Sequence, residues 1–468
     1  MIKRGSQKVQ SSNSKSVFRK CHCFHYQIVS LKAGGGGGGQ VREKSVPSVQ
    51  VPLPINRLYI RRSYRNDHIF YGSVCLSISK SLSPNCSCVF KGLPYCLIAL
   101  FFSDLSLESL KYLSSEQALA DLAHFIRKMN SVHGFNDPKW IVFGGSYAGS
   151  LAAWLRYKYP HLVFAAVSSS GPLHAKVDFP EYFQTVSNSL ASVSPKCVDA
   201  IRVANQKLSD GVNNATKREH YRELFRLVLF FDLLSENLAH VVQYNQRGMN
   251  TDADTADIDM NAVCKIMTDE SIHCPVHRYA EVNKLLRTYF GEKCLDHKYS
   301  NMIEHFRDTS YGPETNFWRQ WLYQTCTEYG WYQTSSKKGD TFGDQTPVEF
   351  FIGLCTDVYG PSFNSEFLNR STEATNTNYG AYSLPVSRVV FIHGSVDPWS
   401  PLGITTNPPE GSYAIFIKGT AHCANMLPET RDDPPQLLEA RTKTEKIIGD
   451  WIVGKEHRSK KRTFLFGD

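Results

Sequence analysis

The 468-residue sequence predicts an α/β fold: a parallel sheet with helices on both faces, split by one long helical insertion. Two apolar runs of strand length, 139–143 and 162–168, flank a helical pattern, the signature of a strand–helix–strand unit whose sheet is buried on both sides. Strand character returns near residue 387. Between these regions, from about 172 to 379, the pattern is helical and rich in cysteines and aromatics.

The elements justify themselves in order. Ser114, with Glu116 and Gln117 behind it, caps a helix over 115–130, where Ala118, Leu119, Leu122, Phe125 and Ile126 share one face. A loop over 134–138 leads into the strand 139–143, and a helix over 150–159 is stopped by Pro160. The strand 162–168 ends before Gly171-Pro172. The insertion contains the dense apolar pattern 220–244. Strands over 387–392 and 412–417 and a helix within 432–454 complete the core. The chain thus divides into an atypical segment 1–103, core 104–175, cap 176–380, core 381–455 and a basic tail 456–468, within the size of two or three domains or of one large domain with an insertion.

Charge narrows the partners. The formal net charge is +8, but residues 1–66 carry thirteen Lys or Arg against the single acid Glu43, a net of +12, which leaves the rest at −4. A nucleic-acid partner would have to rest on that segment alone, and its glycine run 34–39 and aperiodic Ser/Lys pattern read as a largely disordered tail. We therefore expect no nucleic-acid partner. The apolar run 93–102 is too short to span a bilayer, so no membrane span is expected, and no apolar export segment follows Met1. Against that, thirteen cysteines and the sequons at Asn214 and Asn369 suit an exported protein. Cys197, Cys264, Cys274, Cys294, Cys326 and Cys355 allow three disulfides in fifteen pairings. Cys21-x-Cys23-x-His25 and Cys274-x-x-His277 lack a second pair at zinc spacing, and the acidic run Asp252, Asp254, Asp257, Asp259 lacks the glycine and terminal glutamate of a calcium loop. No metal or organic cofactor is expected.

The chemistry concentrates at three strand ends. Ser146, in Gly-Gly-Ser146-Tyr-Ala-Gly, fits a nucleophile elbow, in which a strained turn lifts a hydroxyl above the sheet. Asp397 and His422 each follow a later strand. A serine hydroxyl needs an imidazole to take its proton, and the imidazole needs a carboxylate to fix its tautomer. The order Ser146, Asp397, His422 is that of the α/β-hydrolase fold, so these three are expected as nucleophile, base-orienting acid and base. His393 precedes the acid and stays outside the triad; Cys423 reads as an unpaired packing residue.

Phe143-Gly-Gly-Ser-Tyr-Ala-Gly-Ser-Leu-Ala-Ala-Trp154, Trp321-Leu-Tyr-Gln-Thr-Cys-Thr-Glu-Tyr-Gly-Trp331, Gly394-Ser-Val-Asp-Pro-Trp399 and Gly419-Thr-Ala-His-Cys-Ala-Asn-Met426 resemble motifs of the lysosomal and secreted serine peptidases. That family includes prolyl carboxypeptidase, dipeptidyl peptidase II and thymus-specific serine protease, and the likeness is greatest to the last. It runs from about 104 to about 454. The resemblance implies an α/β-hydrolase core with a disulfide-containing helical cap, and exopeptidase cleavage of short peptides, often after proline, in either carboxypeptidase or dipeptidyl mode. It also implies the main-chain N–H of Tyr147 as an oxyanion donor and an endosomal, lysosomal or secreted location. It leaves a homodimer open. Trp321, Tyr323, Trp331 and Trp399 are the expected substrate-contacting aromatics. The chain departs from the family before residue 104, where only Phe70-Tyr-Gly72 echoes a Glu-His-Arg-Tyr-Tyr-Gly-like segment, and no second oxyanion donor stands out. A catalytically impaired peptide binder and an esterase on the same fold are the rival readings.

Overall fold

The computed structural model describes residues 74–79, 104–213, 224–245, 258–291, 298–310, 317–335, 337–408 and 411–455. Most of segment 1–103, the run 93–102, Asn214, Asp252, Asp254, Asp257, Cys294 and the tail from 456 lie outside these residues.

The core is a five-stranded sheet in the order β1, β2, β3, β6, β7, with β1 at Val74–Ser79, β2 at Lys139–Gly145, β3 at Val163–Ser169, β6 at Val389–Gly394 and β7 at Tyr413–Ile417. From β2 to β7 all pairings are parallel. Strand β1 instead runs antiparallel to β2, from Val74 opposite Gly144 to Ser79 opposite Lys139. Part of the segment read as disordered is therefore a strand, and its alternating Val-Cys-Leu-Ser-Ile-Ser pattern is the period-2 signal that marks it.

Side-chain alternation explains why the parallel strands are apolar throughout. Trp140, Val142, Val163, Ala166, Val389 and Phe391 face one cluster, which includes helices α1 (Ser115–His133) and α2 (Tyr147–Lys158). Ile141, Ala165, Val167, Val390, Ile392, Ile415 and Ile417 face the other, against Leu437, Ala440, Ile447, Ile448 and Trp451 of the C-terminal helix Pro435–Ile452. Both faces are buried, as a parallel sheet requires. The Ser114 hydroxyl accepts the Gln117 N–H at 3.2 Å to start α1, and left-handed Gly134 ends it. Helix α2 begins at Tyr147 rather than at 150, because the Gly149 N–H already donates to the Ser146 carbonyl at 2.7 Å.

The cap is helical, with α3 at Glu181–Val193 and α4 at Leu224–Gln243 nearest the sheet's C-terminal rim. Two short strands, β4 (Lys176–Asp178) and β5 (Gly330–Tyr332), pair in parallel and tie the start of the insertion to its later part. Disulfides Cys197–Cys264 and Cys326–Cys355 cross-link it, and among the described residues Cys274 and Cys423 have no disulfide partner. Leu105, Leu110, Leu322, Phe350 and Leu354 pack with the second bridge in a separate apolar cluster. Among the described residues, no helix is long and apolar enough to cross a membrane.

Candidate active site

Ser146 sits in the one-residue turn between β2 and α2 with φ 59° and ψ −136°. A non-glycine residue held there stores about 1–3 kcal/mol, so the surroundings must enforce it. Its N–H donates to the Ser169 carbonyl at 2.9 Å, tying the turn to the end of β3. The flanking glycines permit the approach: a Cβ on Gly144 would lie 1.9 Å from the Ala148 carbonyl oxygen, and one on Gly149 would lie 2.8 Å from that of Ser169.

Asp397 follows β6 and is completely buried; His422 follows β7 and is 5% exposed. His422 Nδ1 lies 2.8 Å from Asp397 Oδ1, which also accepts the Trp399 N–H at 3.0 Å. Their loops meet because Gly394 has no side chain: a Cβ there would lie 2.1 Å from the Thr420 carbonyl oxygen. Burial pushes the Asp397 carboxyl up, but the His422 charge and hydrogen bond outweigh it and hold it below the usual value. Burial likewise pushes His422 down, and Asp397 and the Cys423 thiol together raise it above the usual histidine range.

The loop carrying His422 rests on the elbow. Left-handed Cys423 donates its N–H to Ser170 Oγ at 2.8 Å, and its Sγ lies 3.8 Å from the Ser169 carbonyl that also receives the Ser146 N–H. Ser146 and His422 thus share one rim, although no hydrogen bond joins them among the described residues. Nucleophile–base contacts are commonly long before substrate binds. Such a rim can present a hydroxyl, an imidazole held in one tautomer and the N-terminus of α2 to an acyl group.

His393 lies within β6, buried, with neither ring nitrogen hydrogen-bonded among the described residues. Burial holds it near 4, hence neutral at physiological pH, and Gly403 packs so close that a Cβ there would lie 2.0 Å from its Cε1.

The cap supplies groups that no sequence pattern marks. The Gln243 carbonyl, at the end of α4, accepts the His422 N–H at 3.0 Å, and its Oε1 accepts from the Tyr182 hydroxyl at 2.9 Å and from Trp399 Nε1 at 2.8 Å. Trp399 in turn lies 6.5 Å from the His422 ring and 6.0 Å from Trp331, which is 6.1 Å from Trp321. These three tryptophans form one continuous wall. Tyr323 instead packs 5.5 Å from Tyr359 and 6.3 Å from Phe363, in the cap's separate cluster. The Tyr147 ring is buried under the cap, its hydroxyl receiving Gln324 Nε2 at 3.1 Å and meeting the Tyr329 hydroxyl at 2.8 Å.

Comparison with known proteins bears on what this rim does. A family profile described as Serine carboxypeptidase S28 matches residues 100–444. The mouse thymus-specific serine protease is 33% identical over 369 residues, covering 74% of this chain and 71% of its own. Its human counterpart is 31% identical over 381 residues, 76% and 72% of the two chains. Mouse lysosomal Pro-X carboxypeptidase is more distant, at 26% identity over 361 residues, 74% and 71% of the two.

Proposed function

Because the chain belongs to the serine carboxypeptidase S28 family of serine peptidases, we propose that it is an exopeptidase that trims short peptides, with proline preferred before the cleaved bond. The observation that carries this reading is the buried 2.8 Å Asp397–His422 pair beside the strained Ser146 turn. On this reading His422 Nε2 takes the Ser146 Oγ proton as Oγ attacks the substrate carbonyl, while Asp397 holds Nδ1 and stabilises the imidazolium. The main-chain N–H of Tyr147, at the first position of α2 and next to the nucleophile, serves as an oxyanion donor. The imidazolium then protonates the leaving amine, and water, activated by the same base, releases the acyl group. On this reading the half-buried Trp321 and Trp399, with buried Trp331 between them, offer an aromatic surface on which the compact apolar ring of proline packs.

The mode, carboxypeptidase or dipeptidyl peptidase, follows from which free terminus the cleft captures. Two disulfides, together with a relative named as lysosomal, support an endosomal, lysosomal or secreted location. A fluorophosphonate should label the folded wild-type chain and not Ser146→Ala. Peptides blocked at either end, followed by mass spectrometry, then identify the mode. Folded wild-type protein that resists the label would refute the nucleophile assignment. The missing Ser146–His422 hydrogen bond favours one alternative, a chain that binds peptides without turning them over. It predicts peptide binding by the unlabelled protein.

A further inference from the structure

Away from the Asp397–His422 pair, one buried polar network touches the elbow from the cap side. Glu328 lies in a π-helical turn, Thr325–Tyr329, which is pinned at Cys326 by the bridge to Cys355. Both of its carboxyl oxygens accept the Ser115 N–H, at 3.0 and 2.9 Å, and Oε1 also accepts the Ser115 hydroxyl. It therefore sits on the N-terminus of α1, where unpaired N–H groups and the helix dipole favour a carboxylate. Its other side-chain partners are Gln324 and the Tyr329 hydroxyl, which is placed to donate to Oε2 at 3.1 Å and to the Tyr147 hydroxyl at 2.8 Å. Tyr147 is the residue immediately after the Ser146 turn.

A tyrosine hydroxyl carries one proton. That of Tyr329 is placed to donate either to Glu328 Oε2 or to the Tyr147 hydroxyl, and Gln324 Nε2 donates to the same Tyr147 oxygen. The Tyr329 hydroxyl thus couples Glu328 to Tyr147, and the Tyr147 ring is held from two sides, with Tyr329 packed on it at 5.3 Å and Trp321 at 5.9 Å. The backbone strain at Ser146 needs such a constraint. The Ser169 carbonyl holds the turn on the sheet side, and the Tyr147 ring is its only side-chain anchor to the cap among the described hydrogen bonds.

We propose that Glu328 is a positioning residue for the oxyanion side of the elbow, acting through the Tyr329 hydroxyl to fix the Tyr147 ring and with it the main-chain N–H of Tyr147. The inference rests on Ser146 being the nucleophile. The test compares the full-length chain with Glu328→Ala, Glu328→Gln, Tyr329→Phe and the Ala/Phe double variant. The readouts are kcat and KM on a turned-over peptide, normalised to sites titrated with fluorophosphonate. A misplaced catalytic group costs up to about 100-fold and a lost oxyanion donor about 10²- to 10³-fold. We expect Glu328→Ala and Tyr329→Phe each to lower kcat about 10- to 100-fold with KM little changed, as loss of a transition-state contact requires. The double variant should be no worse than the worse single, because both cut one chain. Glu328→Gln, which can still bridge Ser115 and Tyr329, should recover most of kcat. Unchanged kcat per titrated site in Tyr329→Phe would overturn the proposal even if Glu328→Ala failed to fold, and so would a loss confined to KM or to the number of titratable sites. A folded wild-type chain that does not label at all is a different result: it removes the nucleophile assignment and the positioning role with it.

Discussion

Glu328 also makes the stability of the fold depend on pH, in a direction opposite to that of most surface acids. Burial lifts its carboxyl from 4.5 to about 7, against the hydrogen bonds from Ser115 and Tyr329 that favour ionisation. An acid raised by folding binds a proton in the folded state that the unfolded chain has released. Its favourable contribution is therefore complete below about pH 4.5 and is lost as pH rises through about 7. At about 1.4 kcal/mol per tenfold change in the proton equilibrium, the interval corresponds to an upper figure of about 3 kcal/mol. Asp232, raised by burial, and Glu236, raised by burial and by Asp232, act in the same direction. The reverse trend comes from His393, held near 4 by burial, whose contribution grows as pH rises from about 4 to 6.5, and from the depressed Asp397 carboxyl at more acid pH; the three raised carboxyls outweigh the one histidine. Urea unfolding of the wild type at about pH 5 and about pH 7.5 should therefore give the higher stability at the lower pH, and Glu328→Gln should reduce that difference by about 2 to 3 kcal/mol. A wild-type stability that climbs over this range, or an unaltered slope in Glu328→Gln, would refute the reasoning.

Three other outcomes follow from the same structure. Asp397→Asn leaves the His422 partner in place but favours the wrong tautomer, so kcat should fall by about 10⁴-fold in peptide turnover; a loss below tenfold would contradict the role assigned to it. Gly144→Ala drives a methyl to 1.9 Å from the Ala148 carbonyl oxygen and should abolish fluorophosphonate labelling and lower the melting temperature. Gly211→Ala, in helix Pro195–Asn213 with nothing within 4 Å among the described residues, should leave labelling intact and stabilise by about 0.5–1 kcal/mol; similar effects from the two glycines would disprove the packing account. Replacing both cysteines of the Cys197–Cys264 bridge, which closes 67 residues, should cost about 4 kcal/mol, slightly more than the about 3.5 for the 29-residue Cys326–Cys355 loop, as read by urea midpoints.

The core strands and the elbow were readable in the sequence because their cause is local: short apolar runs, a glycine-fenced serine and chain order need no knowledge of partners. The family resemblance was readable for the same reason and agrees with the S28 match over 100–444. The cap resisted because its contacts are tertiary. Trp321 and Tyr323 are two residues apart on the helix Phe317–Gln324, about 200° around its axis, so one joins the tryptophan wall and the other the cap cluster. Nothing near Gln243 announces that its carbonyl will meet the His422 N–H, 179 positions later. Strand β1 was missed although its alternation is regular, because the basic, glycine-rich surroundings outweighed six residues.

The interruption of the sheet also shapes how the chain must be made. Strand β3 ends at Ser169 and its neighbour β6 begins at Val389, about 220 residues later. At about 5–20 residues per second on a ribosome, the apolar edge of β3 waits on the order of 10–40 s for its partner. During that interval the cap is synthesised in full, and the β4–β5 pair can form before β6 exists. A nascent chain that assembles its cap first shelters the waiting edge; one that does not exposes a template for aggregation.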